Sequence, residues 1–154
     1  MNYSGVLIAV KDMTKAKQFY EEVMEQEVQM DLDNIHVAFA NGFSLQADYE
    51  GLLGVSLKPK EQPDNFQLYF EVEDLDKWEA KLAKEDGIEF LHHSKEYPWG
   101  QRVMRFYDHD KYIVEVSESM ESVVKRFLNQ GISVTETAKK TMFPIEFVQQ
   151  FVQG

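Results

Sequence analysis

Residues Tyr112 to Val116 read YIVEV. Four of the five suit a strand headed for an interior, and the fifth is a carboxylate, Glu115. A carboxylate among such neighbours is costly unless it is hydrogen-bonded, paired with a cation, or bound to a metal. Each partner implies a chemistry. Amide donors would make a polar recognition site, and the natural ones are Gln46 and Gln67. A guanidinium from the neighbouring strand, Arg102 or Arg105, would form a cross-strand ion pair. Burial alone would make Glu115 a general base, and a metal would supply a Lewis acid.

The four His offer less than their number suggests. His92 and His93 are adjacent, so on a strand they point to opposite faces and cannot share an ion. His36 falls in a middle strand and His109 in a turn. Each is read as a partly exposed or hydrogen-bonded side chain. In EYPWGQR, Pro98 and Gly100 bracket Trp99 in a turn. The indole is a flat surface for ring stacking or for a cation, or else a cover for the edge of the core. Tyr69, with Phe39 or Phe43, would add further aromatic wall.

These residues are positioned by a repeat. GVLIAVKDMTKAKQFYEEV from Gly5 and QLYFEVEDLDKWEAKLAKE from Gln67 each give an apolar strand, an acidic turn and a helix. Val10 and Val72, Asp12 and Asp74, and Met13 and Leu75 stand in register. Asp12 or Thr14 caps the first helix, and Asp74 or Asp76 the second. Ala16, Phe19, Tyr20 and Val23 recur at helical spacing. Gly87 ends the second helix.

Three strands follow in each half: 27–30, 35–40 and 43–48, then 88–93, 101–107 and 112–116. Asn41-Gly42 predicts a type I′ hairpin turn, and a second turn falls at Asp33-Asn34. The chain therefore reads as α+β: two βαβββ modules, residues 1–60 and 61–118, forming a curled mixed sheet around a trough. A helical tail, 119–154, follows. The polar stretch KPKEQPDN, residues 58–65, joins the modules. The helix of each module covers one sheet face and leaves the other for function. Strand alternation gives that face Gly5, Leu7 and Ala9 from the first strand, Ser44, Gln46 and Asp48 from the fourth, and Gln67, Tyr69 and Glu71 from the fifth. Glu115 joins them from the last strand.

Paired βαβββ units, each strand followed by an Asp-started helix, and the run GQRVMRFYDHDKYIVEV together resemble the vicinal oxygen chelate superfamily. That family includes glyoxalase I, extradiol dioxygenases, fosfomycin-resistance enzymes and bleomycin-resistance proteins. The likeness covers residues 1–119 and is strongest over 99–116. His109 and Lys111 replace the Pro and Gly usual in the family's ending. Metal-using members draw ligands from the first and last strand of each half. Transferred here, those places are Gly5, Gln46, Gln67 and Glu115.

One has no side chain and two are neutral amides, a weak donor set for a divalent ion. The two-His-one-carboxylate set of oxygen-activating iron lacks both His, so a dioxygenase is not expected. The resemblance then implies a small-molecule binding protein without a tightly held metal or other cofactor. Its ligand-binding residues would be Leu7, Gln46, Gln67 and Tyr69 with Trp99, Arg102, Met104 and Glu115. The alternative is a glyoxalase-like lyase or isomerase with Glu115 catalytic and a weakly held divalent metal (Zn, Ni or Mn) on Gln46, Gln67 and Glu115.

The whole chain constrains the partners. It has 154 residues, 44% hydrophobic, no Cys, and a net charge of −11. No thiolate chemistry is available, which fits a reducing cytoplasm. No leader or membrane span is read. The acidity disfavours nucleic acid, whose phosphates need excess Lys and Arg. In the tail, Val123, Val124, Phe127 and Leu128 form a helical stripe that stops at Gly131. Ser133 and Glu136 form a capping box, and Pro144 opens a last helix. Helix–turn–helix in outline, the tail with the adjoining Glu118 balances four basic residues against four acidic ones, without the basic excess that phosphate contacts need. Its Phe and Val face is expected to pack on the modules or on a second subunit, so a homodimer is expected.

Overall fold

The computed structural model describes residues 1–57 and 59–152. Lys58, which opens the expected linker, and Gln153 and Gly154, which end the tail, lie outside them. The described chain divides into two compact units. The first holds Met1–Gln62 with His109–Lys111. The second holds Pro63–Asp108 with Tyr112–Gly154.

In the first unit β1 (Val6–Ala9) leads to α1 (Met13–Gln18), which runs on into a π-turn over Phe19–Val23. Asp12 caps α1 by accepting a bond from the backbone N–H of Lys15. Strands β2 (Val28–Leu32), β3 (His36–Phe39) and β4 (Phe43–Gln46) follow, in the spatial order β1-β4-β3-β2, with β1 and β4 parallel. Ile8 and Val10, Val37 and Phe39, and Phe43 and Leu45 are buried with Met13, Ala16, Phe19 and Tyr20 of the helix. Phe39 and Phe43 stack on each other and meet Tyr20 edge-on. They are core residues, not the open aromatic wall expected, because their parity puts them on the helix side.

Two turns exchange roles relative to expectation. Asp33 and Asn34 both have positive φ, and the N–H of Ile35 bonds the carbonyl of Leu32, the geometry of a type I′ turn. At Asn41-Gly42 only Gly42 has positive φ, so that hairpin closes on a glycine bulge instead. Asp48 also differs from its expected place. The strand ends at Gln46, and Asp48 caps the short helix α2 (Tyr49–Leu53).

The second unit repeats the plan: β5 (Gln67–Val72), α3 (Leu75–Leu82), β6 (Glu89–Glu96), β7 (Arg102–Tyr107) and β8 (Ile113–Glu118), in the order β5-β8-β7-β6. Asp74 caps α3 as Asp12 caps α1. The tail forms α4 (Met120–Asn129), α5 (Val134–Thr141) and α6 (Ile145–Gln149). Helix α4 contacts β8. Val124, Ala138 and Val148 make a small core of their own, flanked by Phe143, Phe147 and Phe151. Much of the tail's apolar face is thus used inside its own unit. Among the described residues no helix is long and apolar enough to cross a membrane.

Candidate functional site

In the second unit, register puts Gln67, Tyr69 and Glu71 of β5, Glu115 and Ser117 of β8, and Val103 and Arg105 of β7 on one sheet face. Glu115 is directly opposite Arg105 and directly beside Tyr69. It is buried, with 6% of its surface exposed. Both its donors converge on one oxygen. Gln67 Nε2 donates to Oε2 at 2.8 Å, and Arg105 Nη2 donates to the same atom. Among the described residues no donor engages Oε1.

Arg105 is held from several sides. Its Nε donates to Gln67 Oε1 at 3.0 Å and its Nη1 to the Tyr97 hydroxyl at 2.5 Å. Nη1 also donates to His92 Nε2 at 3.1 Å. That bond makes His92 Nε2 the acceptor, so its Nδ1 carries the proton and donates to the carbonyl of His93 at 2.9 Å. The guanidinium is therefore fixed in plane against the carboxylate, where a flexible ammonium could not be.

A second network lies along the same face. Tyr69, half exposed, donates to Glu71 at 2.5 Å. Burial, and then the Glu71 carboxylate that its proton serves, hold the Tyr69 hydroxyl above the usual phenol range. Gln101 donates to Ser117 and to the carbonyl of Glu118, and accepts from Trp99 Nε1 at 3.0 Å. Trp99 in turn stacks on Tyr97 with ring centres 4.9 Å apart.

Two expected members lie elsewhere. Arg102 and Met104 alternate with Arg105, so they face α3 instead. Arg102 bonds Asp76 of α3 and the buried Glu118, and Met104 is fully buried. Arg105, the other candidate for pairing, takes the role.

In the first unit the corresponding face carries Leu7, Ala9, His36, Ala38, Ser44 and Gln46. Gln46 is buried, bonded to His36 Nδ1 through Oε1 at 3.0 Å and to the carbonyl of Ala47 through Nε2. The spacing that equates Asp12 with Asp74 equates Leu7 with Tyr69. Their parallel partners are Ser44 and Glu115. The position mirroring Glu115 is therefore Ser44, two residues before Gln46. Gly5, the counterpart of Gln67, has φ +140°, and a Cβ there would lie 1.9 Å from the carbonyl oxygen of Gly42. Backbone, not chance, keeps a side chain from that place.

Within the second unit, the donors at the transferred places are one amide, Gln67, and one carboxylate, Glu115, a weak set for a divalent ion. The Arg105 guanidinium already neutralises that carboxylate, and an ion beside it would meet like charge. Among the described residues no three His, Asp or Glu gather as a metal set. His36 and His92, expected to be partly exposed or hydrogen-bonded, are hydrogen-bonded on the two faces, to Gln46 and to Arg105. Their signal was strand parity: His36 shares that of Gln46, and His92 stands opposite Arg105.

Residues 3–121 match the family model described as a glyoxalase-like domain. The chain belongs to the glyoxalase-like, vicinal oxygen chelate family. Solved structures agree on the fold of this glyoxalase-like chain. A protein of unknown function from Agrobacterium tumefaciens str. C58 is 30% identical, with a TM-score of 0.69, over 77% of this chain and 94% of that one. A glyoxalase/bleomycin resistance protein/dioxygenase family enzyme from Burkholderia phytofirmans PsJN is 18% identical, with a TM-score of 0.66, over 77% and 98%. A lactoylglutathione lyase from Agrobacterium tumefaciens is 20% identical, with a TM-score of 0.58, over 75% and 92%. No curated protein matches the sequence. The tail from Ser122 onward lies beyond the family match of this glyoxalase-like chain.

Proposed function

We propose that this chain is a small-molecule binding protein of the glyoxalase/bleomycin-resistance type that works without a tightly bound metal. The observation that carries the reading is Glu115, fixed by Arg105 and Gln67 through Oε2, while Oε1 has no donor among the described residues. A guanidinium stands where a metal-using relative would need a cation. The open oxygen accepts a hydroxyl or N–H from a polar ligand. Tyr69 and Tyr97 offer ring surface beside it. Because Arg105 already neutralises Glu115, a hydrogen-bonding ligand suits the face better than a simple cation.

Metal analysis of protein purified without chelator tests the first half of this. It should find no stoichiometric Ni, Zn, Mn or Fe, and one equivalent of any of them would overturn the reading. A thermal-shift screen of polar aromatic compounds tests the second half. Hits should vanish in Glu115→Gln, and hits indifferent to that change would place the ligand elsewhere.

The free Oε1 also supports a second reading, a lyase or isomerase in which Glu115 moves a proton. Its mark would be turnover that Glu115→Gln abolishes while ligand binding persists.

A further inference from the structure

A hollow of about 410 Å³ lies in the second unit between the β6–β7 turn and α5, and Glu115 does not line it. Pro98, Trp99, Glu136, Lys139, Lys140 and Met142 line it. Sites for small molecules commonly measure a few hundred Å³, on the order of 300–1,000, with apolar walls and few polar groups. Here the walls are an indole, a proline ring and a thioether.

Met142 is unusual in two ways. It ends α5 in the left-handed conformation, φ 60°, where glycine is the common choice. A side chain there costs about 1–2 kcal/mol. Yet Met142 buries little, with 75% of its surface exposed. With three quarters of its surface exposed, its side chain gains little packing in the folded chain to offset that cost. A soft, polarisable group held over a hollow is suited to an aromatic ring.

The charges at the rim are not equivalent. Glu136 is committed to the capping box, where it accepts from the N–H and hydroxyl of Ser133. Lys140 is held by Glu96 at 2.8 Å and lies over the Phe127 ring. Lys139 is exposed and has no carboxylate partner among the described residues. In a chain of net charge −11, an exposed cation beside a partly exposed indole selects for anions.

We infer that this hollow is a second ligand site, for flat aromatic carboxylates. The ring lies against Trp99 between Pro98 and Met142, and the carboxylate meets Lys139. The site lies between the β6–β7 turn and the tail, and Glu115 does not line it.

The full-length chain carrying Trp78→Phe has a single indole, Trp99, whose N–H resonance reports on the hollow. Titration with 2-naphthoate should shift that resonance saturably. The uncharged isostere 2-naphthamide and the Lys139→Gln variant should each bind about tenfold more weakly, the loss of one charged contact. Met142→Glu should weaken binding further, by repulsion and loss of the apolar wall. Glu115→Gln should leave the titration unchanged. No saturable shift, equal binding of the amide, or indifference to both hollow variants would overturn the inference. So would loss of the response in Glu115→Gln, which would assign the naphthoate to the sheet face. Lys139 is exposed and its side chain makes no hydrogen bond or ion pair among the described residues, so its replacement tests binding and not folding.

Discussion

Arg105 and Glu115 show how a single position redirects a site. A buried carboxylate must have a partner, and here the partner is built in. Removing it should be costly. Arg105→Ala leaves the carboxylate buried with only Gln67 as donor and is expected to cost about 2–3 kcal/mol, below the full cost of breaking a buried pair because the guanidinium is partly exposed. Glu115→Gln in the same background should recover part of that loss, which urea unfolding of the two single variants and the double variant would show as coupling. Gly5 makes the second case at this scale. With a Cβ set 1.9 Å from the Gly42 carbonyl, Gly5→Ala is expected to destabilise by about 3 kcal/mol or more, measured as a lower urea midpoint. The same contact explains why no ligating side chain stands there.

At the scale of elements, the attachment of the tail to its sheet is electrostatic as well as apolar. Glu118 of β8, 2% exposed, accepts from Arg126 of α4 and from the backbone and side chain of Arg102. Arg126 also donates to the carbonyl of Gly100, and the Phe127 ring fills the space that a Cβ on Gly100 would need. Burial pushes the Glu118 carboxyl up, but the bonds from Arg126 and Arg102 more than offset this and hold it below the usual carboxylate range. A carboxyl depressed in the folded state contributes stability above its unfolded value and loses it as pH falls through the folded one. Stability should therefore decline as pH drops below about 4.5, the ordinary glutamate value. Glu118→Gln should flatten that acid limb while lowering stability at neutral pH, as denaturant midpoints across a pH series would show.

The whole molecule carries a net charge of −11 on 154 residues and repels itself, so monovalent salt should raise Tm by screening. Divalent ions offer a sharper test. If Arg105 holds the place of a metal, then Mn²⁺ or Zn²⁺ should raise Tm no more than NaCl does at equal ionic strength, read by differential scanning fluorimetry. A specific gain at low metal concentration would contradict the guanidinium reading.

Sequence alone determined the architecture, because its signals are local and repeated. Two Asp caps in register, two helical stripes and two sets of alternating strands specify a duplicated βαβββ plan whichever way the modules are arranged. It also determined that Glu115 needed a partner, since burying a bare charge is costly in any fold. Tertiary structure decided which partner. Arg102 and Arg105 are both plausible by proximity, and only strand register separates them: one residue of parity sends Arg102 to Asp76 and Glu118 and brings Arg105 onto Glu115. Register likewise moved the mirror position of Glu115 from Gln46 to Ser44, and brought His36 to Gln46 and His92 to Arg105. The hollow beside Trp99 was not legible in the chain, because its two walls are far apart in sequence and meet only when α4 docks on β8 and carries α5 with it.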